Sequence, residues 1–181
     1  LMDNIAMPTP SAVLEAVKLL SDGTESEPGI GELLAMDVGG ATTDIYSVCE
    51  GMPTDDQTVY KGLPEPHVKR TVEGDIGMRY SIHGIQDAVG IDYISKLSGI
   101  KPERCEELID LLSRHTELIP ADDEMRKLDF ALASGAIKTA VTRHAGKFEE
   151  VYTMHGRVYM QTGKDLRNIH QIVVTGGSLI N

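Results

Sequence analysis

An α/β fold with a mixed sheet is what this 181-residue sequence predicts, and three observations carry it. Two short apolar runs, "LLAMDV" (33–38) and "IVVT" (172–175), each end in a Gly-Gly pair, as buried strands do where they stop at tight turns. A long stretch with helical periodicity lies between them. Near the end, "EEVYTMHGRVYMQTG" (149–163) alternates about His155-Gly156 and reads as a β-hairpin.

Taken in order, "PTPSAVLEAVKLL" (8–20) is a helix, with Val13, Val17 and Leu20 at helical spacing, Pro10 in the first turn and Thr9 as its cap. "SDGTESEPG" (21–29) is a polar loop. Leu33–Asp37 and Ile45–Val48 are strands joined through the Gly-Gly turn, and "QTVYKG" (57–62) is a third. The first half of 62–81 is expected to be irregular, because the segment carries two prolines and two internal glycines. From Met78 to His115 the pattern is helical, broken at Gly90 and at "SGIKPE", with Pro102 opening the next helix. Residues 121–144 form the longest helix. Its face runs through Met125, Leu128, Leu132, Ala136, Ala140 and His144, with acids in its first turn and Gly146 as its stop. The parts group as a connecting helix and β-rich part (1–77), a helical subdomain (78–148), and a hairpin with its closing strand (149–181).

Composition narrows the function. Hydrophobic residues make up 41% of the chain, which is a globular composition. The formal net charge of -11 argues against a nucleic-acid or anionic-membrane surface, both of which need clustered Lys and Arg. A phosphate ligand held by backbone N–H groups remains compatible with it. Cys49 and Cys105 have no metal or redox spacing and fit free thiols in a reducing compartment, or a single bridge. No run has the length of a membrane span, and the first residues lack the basic and apolar parts of a signal peptide, so a cytoplasmic protein is expected.

The chemistry concentrates in "LLAMDVGGATTDIYSV" (33–48). An ionised Asp37 at a strand end suits Mg²⁺, which prefers hard oxygen and keeps part of its water shell. Gly39 and Gly40 present no side chain, and their N–H groups can face a phosphate if the turn curls into a nest. The Thr42 and Thr43 hydroxyls can bond phosphate oxygens or orient a water, and Asp44 can fix the turn. The alternative is a tight hairpin whose polar residues satisfy only each other; the pattern by itself leaves both open.

"DVGGATTD" resembles the second phosphate motif of the sugar kinase/Hsp70/actin superfamily, and "VVTGGSLI" (173–180) resembles its adenosine motif, in the same order. More closely, "LLAMDVGGATTDIYSV", "GLPEPHVKRTVEGDIGMRYS" and "GKDLRNIHQIVVTGGSLI" together resemble the MutL/GlmL family associated with glutamate mutase, which is unrelated to the mismatch-repair protein of the same name. The resemblance implies a ribonuclease H-like actin/Hsp70-type second lobe with an inserted helical subdomain over the adenine. It implies an ATP-dependent reactivating chaperone whose client is an adenosylcobalamin-dependent mutase, glutamate mutase or a related aminomutase. The implied cofactors are ATP/ADP and Mg²⁺.

The residue roles that follow are these. Asp37 would orient a Mg²⁺-bound water; Gly39, Gly40, Thr42 and Thr43 would contact the β/γ phosphates, with Thr42 near the attacking water. Gly176, Gly177 and Ser178 would line the α-phosphate and ribose, and Gly74, between Glu73 and Asp75, would belong to a glycine-acidic loop near the nucleotide. No earlier phosphate motif precedes Asp37, so the chain is expected to be one lobe of a longer protein and inactive alone. Lys69 and Arg70 are expected to be solvated, with phosphate binding as the alternative because they precede "TVEGD", and His144 is expected to be a packed or capping residue. Two other readings share these motifs: an actin-like filament or scaffold protein, and a small-molecule kinase.

Overall fold

The computed structural model describes residues 7–154 and 156–177. Its elements come in runs of one type along the chain. Helix α1 (Thr9–Asp22) is followed by strands β1 (Leu33–Val38), β2 (Thr43–Val48), β3 (Thr58–Tyr60) and β4 (Val68–Glu73). Four helices come next: α2 (Ile82–Val89), α3 (Ile91–Ser98), α4 (Pro102–Arg114) and α5 (Asp123–His144). Strands β5 (Lys147–Thr153), β6 (Gly156–Thr162) and β7 (Gln171–Thr175) close the described chain. One sheet has the order β4-β2-β1-β7, the other β3-β6-β5. In the second, β5 pairs antiparallel with β6, Val151 opposite Val158, while β3 runs parallel to β6, so this sheet is mixed.

The chain divides into two compact units. The first holds residues 1–35, 46–70 and 145–173. In it Val13, Leu14 and Val17 of α1 pack with Leu33 and Ala35 of β1 and Tyr46 of β2. Leu20, predicted to join that stripe, is exposed, and Leu14 takes its place. Thr9 is the first helical residue and not the cap; Pro8 precedes it and its carbonyl accepts from the Ser11 and Ala12 N–H groups.

The second unit holds residues 36–45, 71–144 and 174–181. Its core joins Val38, Ile76 and Met78 to the inner faces of α2, α4 and α5, with Ile85, Leu108 and Leu132 fully or nearly fully buried. The Asp122 side chain accepts from the Met125 N–H at 2.8 Å and starts α5, a capping bond worth about 1 kcal/mol. At its far end His144 is buried, with Nδ1 2.7 Å from the Thr71 hydroxyl, so it is a packed residue as expected.

Two elements depart from expectation. Strand β7, expected to be buried, leaves Ile172 and Val174 61% and 49% exposed. The first half of 62–81, predicted irregular, is so only up to His67, and strand β4 (Val68–Glu73) begins within it. Its cations are not solvated: Lys69 pairs with Glu65 at 2.6 Å and is only 17% exposed, and the Arg70 guanidinium lies 5.9 Å from the Tyr46 ring centre. Charges tethered in this way sit in a sheet without the alternation that sequence reasoning looks for.

Candidate functional site

Strands β1 and β2 are sheet neighbours joined by only the turn at 39–42, too short for a parallel crossover. The Gly39 N–H closes that turn on the Thr42 carbonyl at 2.9 Å. Residues 76–80 brace it from the other side. The Met78 N–H donates to the Gly39 carbonyl at 3.0 Å, and the Arg79 and Tyr80 N–H groups donate to the Gly40 carbonyl at 2.8 Å. A Cβ on Gly77 would overlap the Ala41 backbone, so only glycine allows this approach. The distinctive 62–81 segment therefore ends as the buttress of the 39–42 turn.

The predicted residues take different places around this turn. Asp37, at the end of β1, is half-buried, and burial followed by the nearby Asp44 charge pushes its carboxyl above the usual range. Thr42 donates to Asp44 at 3.3 Å. Thr43 is fully buried and its hydroxyl donates to the Ile76 carbonyl at 3.0 Å, so it holds the turn from behind and has no hydroxyl to offer a ligand. Gly39 offers the absence of a side chain more than its N–H, which is already spent.

Gly176 meets the same strand. Its φ of +111° is left-handed, and a Cβ there would overlap the Val38 carbonyl, so the second Gly-Gly turn sits directly on the end of β1. Ser178 lies outside the described residues, as does His155. Gly74 is elsewhere: its carbonyl accepts from Ser81 at 3.2 Å, and Arg143 ties Glu73 at 2.6 Å and Asp75 at 2.8 Å on either side of it. Arg143 holds the Asp75 carboxyl below the usual range.

Gly40 and Gly177 both line a cavity of about 760 Å³. Its walls come from Val38, Met78, the loop 116–120 and the Phe130–Ile137 side of α5. Ile119 and Phe130 stand 79% and 62% exposed. Within the apolar lining lies one well-buried ion pair, Arg79 with Asp129, at 2.9 and 3.1 Å and 11% exposed on each side. Sequence reasoning passed over both residues. The available signal was an acid embedded in the apolar face "LDFALA" of α5. Tyr80, exposed, was missed too; its ring is 3.8 Å from where a Gly40 Cβ would stand.

The arrangement fits a nucleotide with Mg²⁺. A volume of this size and mostly apolar lining suit a planar base, and two side-chain-free turns open beside it. Asp37 carries a carboxylate that burial and Asp44 leave under-compensated, which a hard cation would relieve. Among the described residues no group of three or more His, Cys, Asp or Glu could hold a metal unaided. Mg²⁺ bound by one carboxylate, water and phosphate oxygens needs no such group. Among the described residues no helix is long and apolar enough to cross a membrane, and Cys49 and Cys105 are both buried and free.

Comparison with known proteins agrees with the sequence resemblance. "Protein MutL" of Clostridium tetanomorphum is 41% identical over 180 residues, covering 99% of this chain and 39% of that relative. The chain thus spans well under half the length of the curated relative it matches. The family model described as MutL protein matches residues 1–181, and the chain belongs to that family.

Proposed function

We propose that this chain is the nucleotide-binding lobe of an ATP-dependent chaperone that reactivates an adenosylcobalamin-dependent mutase, glutamate mutase or a related aminomutase. Its fold would be the second lobe of the actin/Hsp70 type, with a ribonuclease H-like sheet and the helices α2–α5 as the subdomain over the base. The observation that carries the reading is the convergence of two glycine turns, at 39–40 and 176–177, on the end of β1 and on one largely apolar cavity.

In this reading the base occupies the cavity, the ribose and α-phosphate pass Gly176 and Gly177, and the β/γ phosphates reach Gly39, Gly40 and Thr42. Gly39 and Gly40 admit the phosphates because they present no Cβ. The ionised Asp37 carboxylate would orient a Mg²⁺-bound water, and the metal, when bound, would supply positive charge against the phosphates. Thr42, whose hydroxyl turns toward Asp44, stands beside the attacking water. Thr43 and Gly77 keep the turn rigid.

The test uses the full-length protein. Glutamate mutase is inactivated by accumulation of damaged cobalamin, then mixed with the protein, Mg²⁺-ATP and fresh adenosylcobalamin. ATP-dependent recovery of mutase activity is expected, and Asp37→Ala should abolish both recovery and ATP turnover. Turnover within a few-fold of wild type in that variant would place the metal elsewhere. No nucleotide binding by the wild type would sink the reading as a whole. Hydrolysis without recovery would keep the site and move the client to another mutase.

A further inference from the structure

We infer that Arg79, clamped by Asp129, is a positioning residue that locks the phosphate-binding turn to the wall of the base cavity, so that base and phosphates are held in one register. This rests on the nucleotide reading above and adds a residue pair to it.

The geometry is specific. The Arg79 N–H donates to the Gly40 carbonyl at 2.8 Å, which ties the residue to the turn after β1. Its guanidinium donates to both Asp129 oxygens, at 3.1 and 2.9 Å, which ties it to α5. It also donates to the Met78 carbonyl at 2.7 Å and reaches the Leu118 carbonyl at 3.4 Å in the loop after α4. All of these elements line the same cavity. One side chain thus joins parts of the chain that are remote in sequence, and it does so with a rigid planar fork that a lysine cannot reproduce.

Stability does not account for the pair. A buried ion pair is generally no better for folding than apolar residues of the same volume, which the surrounding Met78, Ala133 and Ile137 could readily have continued. Direction is what the pair adds: a fixed distance between Gly40 and the loop and helix across the cavity. The exposed pair Arg104–Glu124, on the same unit, links α4 to the start of α5 but does not reach the 39–42 turn.

The experiment measures binding of ADP, adenosine and pyrophosphate, each with Mg²⁺, to the full-length protein and to Arg79→Lys, Arg79→Ala, Asp129→Asn and the double variant Arg79→Ala/Asp129→Asn. Wild type should bind ADP more tightly than either fragment. Each single variant should weaken ADP roughly tenfold while leaving pyrophosphate within about twofold, because the turn itself remains braced by Met78 and Tyr80. The double variant should be no worse than either single one, as expected of two residues acting as one joint. Pyrophosphate binding also reports that each variant is folded, and Arg79→Lys keeps the charge and the stem. ADP affinity unchanged in Arg79→Lys and Asp129→Asn, with wild type binding ADP, would overturn this inference alone. Additive losses would overturn it too, since the two residues would then act separately. A wild type that binds none of the three probes would overturn the nucleotide reading, and this inference with it.

Discussion

At the scale of single residues, Asp37 gives the clearest expectation. Its carboxyl is raised because burial disfavours the charge and Asp44 adds repulsion. Below the ordinary carboxyl range both folded and unfolded chains hold the proton, and the residue is neutral to stability. Stability falls as pH rises from the ordinary carboxyl value through the raised folded-state value, and above that the folded chain carries a charge it disfavours. Asp37→Asn should therefore raise the melting temperature at neutral pH, and the gain should vanish in strong acid. Thermal melts of both proteins across that range check it, and an Asn variant less stable than wild type at neutral pH would contradict it. A half-buried carboxyl raised by burial and a neighbouring acid at the end of a strand fits a functional site. Burial disfavours the Lys164 charge as well and holds its ammonium below the usual lysine range, but this charge has partners. Lys164 is 1% exposed, and its ammonium donates to the Cys49 and His67 carbonyls at 2.7 and 2.6 Å. Lys164→Met would leave those carbonyls buried without that donor, and a loss of about 1–3 kcal/mol is expected in denaturant melts. Asp37 was legible in the sequence because an acid ending an apolar strand before Gly-Gly is a chemical anomaly. Lys164 was not, because nothing local shows that a lysine in a polar loop will be buried by residues over a hundred positions away.

Among the elements, legibility followed periodicity. The helices and the β5–β6 hairpin carry local signals, apolar spacing, a proline at the first turn or alternation, and all of them form as predicted. Strand β4 carries no such signal: its exposure is intermediate at nearly every position, and Glu65 and Tyr46 are what let Lys69 and Arg70 sit in a sheet. The brace between the 76–80 segment and the 39–42 turn was likewise invisible, since it consists of backbone hydrogen bonds. It can be tested as an element. Gly77→Ala pushes a methyl into the Ala41 backbone, so the brace must open. A loss of about 1–3 kcal/mol is expected. Amide exchange should quicken at Met78, Arg79 and Tyr80 while α3 and α4 stay protected. Uniform loss of protection would show instead that the brace and the helical core open together.

For the whole molecule, the decisive matter is how much of a ligand this chain can cover. The chain spans 39% of the length of its curated relative, and Ile119 and Phe130 remain largely exposed beside the cavity. A ligand seated there would keep much of its surface in water, and affinity falls when burial is partial. The 181-residue chain alone should therefore bind ADP with a dissociation constant weaker than roughly 1 mM, near -4 kcal/mol, and hydrolyse no ATP. On the proposed two-lobe reading the full-length protein should bind at least about tenfold more tightly, because a second wall would exclude water and strengthen each polar contact. Titration calorimetry on both settles the comparison. Equal, tight affinities would mean that the cavity described here is already the complete site, or that a second copy of the chain closes it. Adding chain to the calorimeter cell separates those two, since only the self-closing case gains affinity with protein concentration.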